Sequence, residues 1–252
     1  MKVKLAKIDT LPPKEMLKEN YVKKTDEYIV KIGEIQKRLY AEDKQALLIV
    51  LQGMDGSGKD GVIKNVFYKI NPLGIEVQCF KKPTAEELGH DFLWRVHKVV
   101  PLKGMIKIFN RSHYEDILVP SVNKTITDDN LKSRARMINE FEEHLVREGT
   151  VILKFYLHIS KDEQKIRLEE RISNKLKQWK YNASDFETRK NWDKYMKTYQ
   201  FIFNSCNKVK WTIIPSDKNW YKEYLVAKLV AETLNKMKLK LPEIQEVMKS
   251  DN

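Results

Sequence analysis

The stretch ALLIVLQGMDGSGKDG, residues 46–61, decides the fold because it joins an apolar run directly to a phosphate-binding loop. The continuous apolar run over residues 46–51 is typical of a strand buried on both faces of a parallel sheet. Residues 53–59 then match the P-loop spacing G-x-x-x-x-G-K, in which backbone N–H groups and a lysine surround a phosphate. The alternative is a glycine-rich turn without a ligand. Three glycines and a lysine favour the phosphate site.

The residue after the loop lysine departs from the P-loop pattern. Asp60 stands where a Ser or Thr normally ligates magnesium. A bare carboxylate repels phosphate by roughly 4 kcal/mol at 4 Å near a protein surface, unless a divalent cation lies between them. Asp55 is therefore a candidate metal ligand. For Asp60 two interpretations stay open, a ligand at the phosphate site or a first-turn acid that stabilises the helix dipole.

The rest of the chain alternates between predicted strands and helices. Further strands are predicted at residues 75–80, 105–109, 151–159 and 211–215. Helices are predicted at residues 59–70, 84–100, 129–148 and 219–237. This alternation predicts parallel β-α-β units, and hence an α/β protein with a three-layer α/β/α P-loop kinase-like fold.

Two helical segments lie outside this alternation. Residues 14–40 carry apolar side chains at helical spacing and predict an N-terminal helix. Residues 161–203 are basic, read mostly as helix and exceed the length of one crossover, so they predict a helical lid inserted between two strands. We expect a single P-loop phosphotransferase domain over residues 1–252.

A second group of polar residues follows the third predicted strand, in FNRSHYED at residues 109–116. Arg111 emerges from the carboxyl end of a strand, where ligands of open α/β sheets bind, and its guanidinium can hold a phosphate with two hydrogen bonds. Asn110 stands where P-loop proteins often carry a metal-binding aspartate. Glu115 and Asp116 follow and supply candidate carboxylates for a metal.

Bulk composition limits the class of protein and its partners. The 252 residues include 47 Lys plus Arg against 35 Asp plus Glu, a net charge of +12 that attracts anions. Two cysteines are too few for a disulfide framework, and no segment has the apolar length of a signal peptide or membrane span. We expect a cytoplasmic protein that binds neither a membrane nor nucleic acid stably. Trp220 and Tyr221, expected to be exposed, are compatible with a homodimer or homotetramer.

The motifs resemble the family-2 polyphosphate kinases, P-loop enzymes that move phosphoryl groups between inorganic polyphosphate and nucleotides. The resemblance covers most of residues 10–240. It rests on GMDGSGKDGVIKNVF, KKPTAEELGHDFLWRVH, PLKGMIKIFNRSHYEDILV, RLEERISNKLKQWK and IIPSDKNWYKEYLVA, in this order. Lys59-Asp60 resembles the loop of that family, and NRSHYED resembles the subgroup that phosphorylates both nucleoside mono- and diphosphates. Many members carry Asp at the position of Asn110.

The resemblance implies roles for individual residues. Phosphate binding is implied for Gly56, Ser57, Gly58, Lys59 and Asp60, and catalysis for Asp55, Lys59, Arg111, Arg167 and Arg171. Nucleotide binding is implied for Lys81, Asp91, Arg95 and Asn110, and a polyphosphate channel for Lys175, Lys177, Lys180 and Arg189. Because Asn110 replaces an aspartate, the metal ligands are expected to be Asp55 with Glu115 or Asp116.

The expected function is a reversible polyphosphate-dependent nucleotide kinase that transfers a terminal phosphoryl group to AMP, ADP or GDP. The expected cofactor is Mg²⁺ or Mn²⁺, and inorganic polyphosphate and nucleotides are the expected partners. An ATP-dependent nucleoside monophosphate kinase of the thymidylate-kinase type is the alternative, which Asp60 disfavours. A GTPase-like switch is disfavoured because no N-K-x-D guanine signature is present.

Overall fold

The computed structural model describes residues 2–243 and contains one five-stranded sheet in which every paired strand is parallel. The strands are β1 (Ala46–Gln52), β2 (Ile75–Cys79), β3 (Ile106–Asn110), β4 (Thr150–His158) and β5 (Trp211–Pro215). Their order across the sheet is β2-β3-β1-β4-β5. All five predicted strands are confirmed to within one residue at either end. The order places β1 between β3 and β4, at the centre of the sheet.

Ten α-helices connect and cover these strands in the described chain. They are α1 (Lys18–Glu42), α2 (Lys59–Val66), α3 (Ala85–Gly89), α4 (Trp94–His97), α5 (Glu115–Val122), α6 (Asp128–Arg147), α7 (Lys161–Ser173), α8 (Ala183–Lys190), α9 (Trp192–Ser205) and α10 (Asn219–Lys236). Short 3₁₀ helices lie at Leu5–Lys7, Pro72–Gly74 and Lys175–Lys180.

Two apolar cores cover the two faces of the sheet and confirm the three-layer prediction. Every residue of β1 is buried, and its side chains alternate between the faces. Leu47 and Ile49 pack with α1, α2 and α10 in one core, and Leu48 and Val50 pack with α5, α6 and α9 in the other. Continuous burial on both faces explains why the strand is uninterrupted by polar residues until Gln52.

Several helix boundaries differ from the prediction. The helix expected over residues 84–100 is two short helices, α3 and α4, which are separated after Gly89. A capping box begins α3, since the Thr84 side chain accepts from the Glu87 N–H and the Glu87 side chain accepts from the Thr84 N–H. The N-terminal helix begins at Lys18 instead of residue 14, and the helix after the P-loop ends at Val66 instead of residue 70.

The basic segment of residues 161–203 contains both exposed and core helices. α7, the 3₁₀ helix Lys175–Lys180 and α8 lie beside the P-loop, and Leu176 and Trp179 are strongly exposed there. α9 instead contributes Tyr199 and Phe203 to the core below the sheet. The part that extends away from the sheet is therefore shorter than the whole basic segment.

The aromatic pair at the start of α10 is less exposed than the sequence suggests. Tyr221 is only 8% exposed, and Trp220 is half-buried with its ring centroid 6.0 Å from that of Tyr21 on α1. Trp220 therefore joins α10 to α1 within one chain. In the chain from residue 2 to residue 243, no helix has the length and apolar character needed to span a membrane.

Candidate active site

A large cavity opens at the carboxyl ends of β1, β2 and β3, where open α/β sheets bind their ligands. Its volume is about 1030 Å³. The P-loop forms its floor, α7 and the 3₁₀ helix Lys175–Lys180 form one wall, and the start of α10 contributes to another. The fold therefore brings the predicted lid and the P-loop to one site.

The backbone of the P-loop is held with its carbonyl oxygens turned toward protein side chains. Four side chains hold the loop: Lys59 Nζ donates to Gly53 O (2.8 Å), Gln164 Nε2 to Asp55 O (2.9 Å), Arg167 Nη1 to Gly56 O (3.0 Å) and Lys222 Nζ to Ser57 O (3.1 Å). The N–H groups of Asp55, Gly56, Gly58 and Lys59 donate to no acceptor within residues 2–243. Because the carbonyl oxygens are occupied by side-chain donors, the free N–H groups can together form an anion-binding nest.

Left-handed backbone at two loop positions makes this nest possible. Gly56 has a φ of 81° and Gly58 a φ of 94°, and L-residues rarely adopt these angles. Gly58 also directly precedes α2, so the positive end of that helix faces the same point. Both positions therefore require glycine, because the turn that forms the anion-binding nest has a positive φ at each of them.

Lys59 is almost fully buried and has no carboxylate within ion-pair distance among the described residues. Burial lowers the pKa of its ammonium, and the nearby charge of Asp55 opposes this effect. As the sequence predicts, Lys59 lies inside the loop, where its Nζ donates hydrogen bonds to the carbonyls of Gly53 and Met54. Such an ammonium can also reach phosphate oxygens, because it has three donors.

The structure changes the interpretation of Arg167, which the resemblance assigns to the transferring phosphate. Its guanidinium pairs with Glu163 at 2.9 Å, donates to two loop carbonyls and also donates to the Ser216 and Asp217 carbonyls. With its donors used in this way, Arg167 positions the loop and joins it to the segment after β5. It is a positioning residue and not a direct phosphate ligand in this geometry.

Arg111 and the carboxylates of Asp55, Glu115 and Asp185 line a smaller cavity of about 190 Å³ beside the P-loop. Arg111 has a φ of 61°, an unusual conformation for a non-glycine residue, and its Nη2 lies 2.6 Å from Asp55 Oδ1. Burial acts to lower the pKa of Arg111, but Asp55 and Glu115 outweigh it, so the pKa is raised. Burial also raises the pKa of Glu115, and Asp55 adds to this effect.

Asp60 contacts two residues that the sequence could not place beside it. The Asn110 amide donates to Asp60 Oδ1 at 2.9 Å, and Lys180 Nζ lies 3.5 Å from Asp60 Oδ2. Burial acts to raise the pKa of Asp60, but the Asn110 hydrogen bond and the Lys180 charge outweigh it, so the pKa is lowered. Asp60 therefore joins β3, the loop and the lid segment. It also lies in the first turn of α2, where a carboxylate stabilises the helix dipole.

The remaining predicted residues divide between the cavity and other places. Lys81, Asn110, Arg171, Lys177 and Lys180 line the large cavity. Ser57, a residue of the loop itself, is fully buried, and Glu115 lines the smaller cavity. Asp91, Arg95, Asp116, Lys175 and Arg189 do not line either cavity.

Arg95 and Asp116 are placed outside the site because they bind each other. Arg95 Nη2 lies 2.8 Å from Asp116 Oδ2, and both side chains are largely buried. Asp91 accepts a hydrogen bond from the Leu93 N–H at the start of α4, and Arg189 donates to the Lys161 carbonyl. Neither side chain lines either cavity, so this geometry gives no support to Asp116 as a metal ligand or to Arg95 as a nucleotide ligand, and both assignments stay predictions.

The donor set around Asp55 suits a magnesium ion that also contacts substrate. No group of three or more His, Cys, Asp or Glu side chains with metal-site geometry occurs within residues 2–243. Asp55 and Glu115 nevertheless line the same small cavity beside the P-loop, together with Asp185, which is paired with Arg171. Magnesium is commonly held by one or two carboxylates together with water and substrate phosphates, so two carboxylates fit it.

A P-loop followed by a helix, a basic lid segment and an arginine at the end of a neighbouring strand define the class of P-loop phosphotransferases. Within that class, this chain belongs to the polyphosphate kinase 2 family, whose sequence profile matches residues 15–242. The match covers the P-loop, β3 with Arg111, and the lid segment.

Relatives and a solved structure agree with this assignment. The AMP/ADP-polyphosphate phosphotransferase of Meiothermus ruber is 46% identical over 215 residues, which cover 84% of this chain and 80% of the relative. The ADP-polyphosphate phosphotransferase of Rhodopseudomonas palustris is 38% identical over 240 residues, covering 90% and 83%. The crystal structure of polyphosphate kinase 2 from Arthrobacter aurescens TC1 superposes with a TM-score of 0.93 at 34% identity, covering 99% and 93%.

Proposed function

We propose that this protein is a polyphosphate-dependent nucleotide kinase that transfers a terminal phosphoryl group from inorganic polyphosphate to AMP, ADP or GDP, reversibly. The observation that carries the proposal is the large cavity, which begins at the P-loop and continues along the lid. Nine basic and six acidic side chains line it, so the cavity is cationic although several carboxylates are present. A polyanionic chain is the substrate that such an extended basic surface suits.

The reaction needs positioning and charge neutralisation, and no covalent enzyme intermediate. The free N–H groups of the loop and Lys59 hold the phosphate that is transferred. Arg111 and Arg171 line the same cavity and neutralise the charge that develops on the equatorial oxygens. A nucleotide whose terminal oxygen lies in line with the bond that breaks completes the arrangement. Lys177 and Lys180 on the lid side bind the rest of the polyphosphate chain.

Magnesium, or manganese, is the proposed cofactor. Asp55 and Glu115 would hold it at the smaller cavity beside the loop. When bound, the ion neutralises phosphate charge and helps to align the two phosphates. Asp60 is already joined to Asn110 and Lys180, so its part is to connect the loop with the lid.

An ATP-dependent nucleoside monophosphate kinase is not favoured. The two curated relatives compared above are named polyphosphate phosphotransferases, and the family match includes the Lys59-Asp60 loop. A homodimer or homotetramer in the cytoplasm is part of the proposal, and light scattering on the purified protein tests the oligomeric state.

The function is tested by supplying radiolabelled polyphosphate, ADP and Mg²⁺ without ATP. We expect labelled ATP, because the terminal phosphoryl group passes directly to the acceptor. AMP and GDP are then offered in turn, and each should yield a labelled product. Labelled product from labelled ATP and AMP, with none from polyphosphate in either Mg²⁺ or Mn²⁺, contradicts the proposal and favours the alternative.

Polyphosphate binding should weaken strongly with salt. Raising the ionic strength from 0.1 M to 1 M shortens the Debye length from about 10 Å to about 3 Å, which screens the exposed lid lysines. We expect the KM for polyphosphate to rise by about tenfold or more, since several cations contact a long anion. The KM for ADP should rise less, and steady-state kinetics with each substrate varied separately measure both. An equal rise for both substrates would contradict the lid as the polyphosphate track.

A further inference from the structure

A second buried lysine, Lys222 on α10, lies against the P-loop although it belongs to no part of the loop motif. Its side chain is 1% exposed, yet it lines the large cavity. Its Nζ donates to Ser57 O at 3.1 Å and to Asn219 Oδ1 at 2.9 Å. A Cβ atom built at Gly58 would lie only 2.0 Å from this Nζ. The ammonium therefore lies in direct contact with the anion-binding turn.

Lys222 lacks a protein counter-ion. No carboxylate within residues 2–243 lies within 4.0 Å of its Nζ. Lys154 on β4, which is also fully buried, has a carboxylate at 2.6 Å in Glu142. Burying an unpaired charge is costly, so an unpaired buried ammonium requires an anion from outside the protein or gives up its proton. Its two protein hydrogen bonds leave one N–H for such an anion.

We propose that the counter-ion of Lys222 is the phosphate held in the P-loop, so that Lys222 is a second phosphate-binding cation of the loop and takes up a proton when polyphosphate binds. This inference rests on the proposed function, because it names polyphosphate as the anion. It assigns to α10 a direct part in binding that the loop motif does not reveal.

The charges around Lys222 support proton uptake. Burial, the charge of Arg167 from α7 and the charge of Lys59 from α2 lower the pKa of its ammonium, while Glu223 and Glu163 act in the opposite direction, and the net result is a pKa of about 7. In the free protein, Lys222 therefore loses its charge as the pH rises above about 7. Bound phosphate favours the charged form and raises this pKa. Affinity for polyphosphate must then fall as the pH rises above the pKa of the free protein, because each binding event has to supply the missing proton.

Calorimetry on the full chain tests this linkage with sodium polyphosphate of defined length as the probe. Titrations at pH 8 in two buffers of different ionisation enthalpy give the number of protons taken up on binding. We expect uptake that approaches one proton, and a Kd that rises by about tenfold per pH unit above the pKa of Lys222. The internal phosphate units of a long chain are strongly acidic, and the terminal unit that the loop holds is already largely doubly ionised at pH 8, so the probe contributes little to the proton count.

Two variants distinguish the effect of the positive charge of Lys222 from the effect of its proton uptake. Lys222→Arg keeps a cation that stays charged, so binding should persist at pH 8.5 without proton uptake. Lys222→Met removes the cation and should weaken binding by about tenfold or more at pH 6.5. Lys218→Met is the matched control, because this lysine is exposed just before the same helix and should leave proton uptake unchanged.

The outcomes distinguish a failure of the proposed function from a failure of the inference about Lys222. If the wild-type protein binds no polyphosphate at any pH, the proposed function itself fails. If it binds polyphosphate without proton uptake, or if Lys222→Arg takes up the same number of protons as the wild type, the inference about Lys222 is wrong while the proposed function stands. Unchanged affinity of a folded Lys222→Met protein at pH 6.5 also overturns it.

Discussion

Replacing Lys59 with alanine is expected to reduce kcat by about 10²–10³-fold with every nucleotide acceptor, because the loop loses the ammonium that neutralises the transferring phosphate. Lys59 is 8% exposed and lies at the centre of the loop, where its Nζ is 2.8 Å from Gly53 O. Water entering the vacated space cannot supply a fixed positive charge. The loss should therefore appear in kcat as well as in the KM for polyphosphate.

The matched control is Lys64→Ala, which removes the same charge from an exposed position on the same helix. Rates with AMP, ADP and GDP are measured for both variants, and circular dichroism confirms that each is folded. A folded Lys59→Ala enzyme that keeps rates near those of Lys64→Ala would show that the loop is not the site of transfer.

The sheet and the loop could be predicted because their signals are local in sequence. A run of apolar residues such as 46–51 specifies a strand buried on both faces, and the glycine spacing specifies the turn that follows. Short helices were harder to predict. Gly89 and Asp91 interrupt the helix expected over residues 84–100, since Asp91 accepts from the backbone of Leu93 and begins a new turn. α5 was missed, and its Pro120 is an unusual residue within a helix.

The contacts that hold the loop could not be predicted, because their partners come from distant parts of the chain. Gln164 and Lys222 reach loop carbonyls that lie 109 and 165 residues away in sequence. Each looks like an ordinary polar residue of an amphipathic helix. The pairing of Arg95 with Asp116 was likewise hidden, so the two were assigned to different ligands although they bind each other.

Asp60 and Asn110 illustrate how two departures from the common P-loop pattern explain one another. An aspartate at position 110 would place two carboxylates where an amide now donates to Asp60 at 2.9 Å. Two such carboxylates repel each other unless a cation lies between them. With Asn110, the hydrogen bond takes the place of a cation at this point, which is consistent with our proposal that Asp55 and Glu115 are the carboxylates that hold a metal.

The second large effect that we expect is a loss of stability when the buried ion pair between Glu142 and Lys154 is broken. Glu142 Oε2 accepts from Lys154 Nζ at 2.6 Å, and its Oε1 accepts from the Tyr114 hydroxyl at 2.6 Å. Both charged side chains are fully buried. Burial acts to raise the pKa of Glu142, but Lys154 outweighs it and the pKa is lowered, so the carboxylate is charged in the folded protein.

Glu142→Leu is therefore expected to lower the free energy of unfolding by about 3–5 kcal/mol, because it leaves the Lys154 ammonium buried without its counter-ion. For a chain of this length, that corresponds to a fall in Tm of about 6–20 °C. Urea unfolding followed by fluorescence measures the free energy, and scanning calorimetry measures Tm. The glutamate next in sequence provides the control: Glu143 pairs with Lys208 at 3.3 Å in a partly exposed position, so Glu143→Leu should cost less than about 1 kcal/mol.

The double variant Glu142→Leu with Lys154→Met tests whether the unpaired charge is the cause. Removing both charges should recover part of the stability lost in Glu142→Leu, since apolar side chains of similar volume can replace a buried ion pair at little cost. A double variant that is less stable than Glu142→Leu alone would instead assign the loss to the hydrogen bonds that Lys154 makes with Tyr114 and with the Cys206 carbonyl. If Glu142→Leu unfolds at the same urea concentration as Glu143→Leu, the buried pair contributes nothing beyond an exposed one.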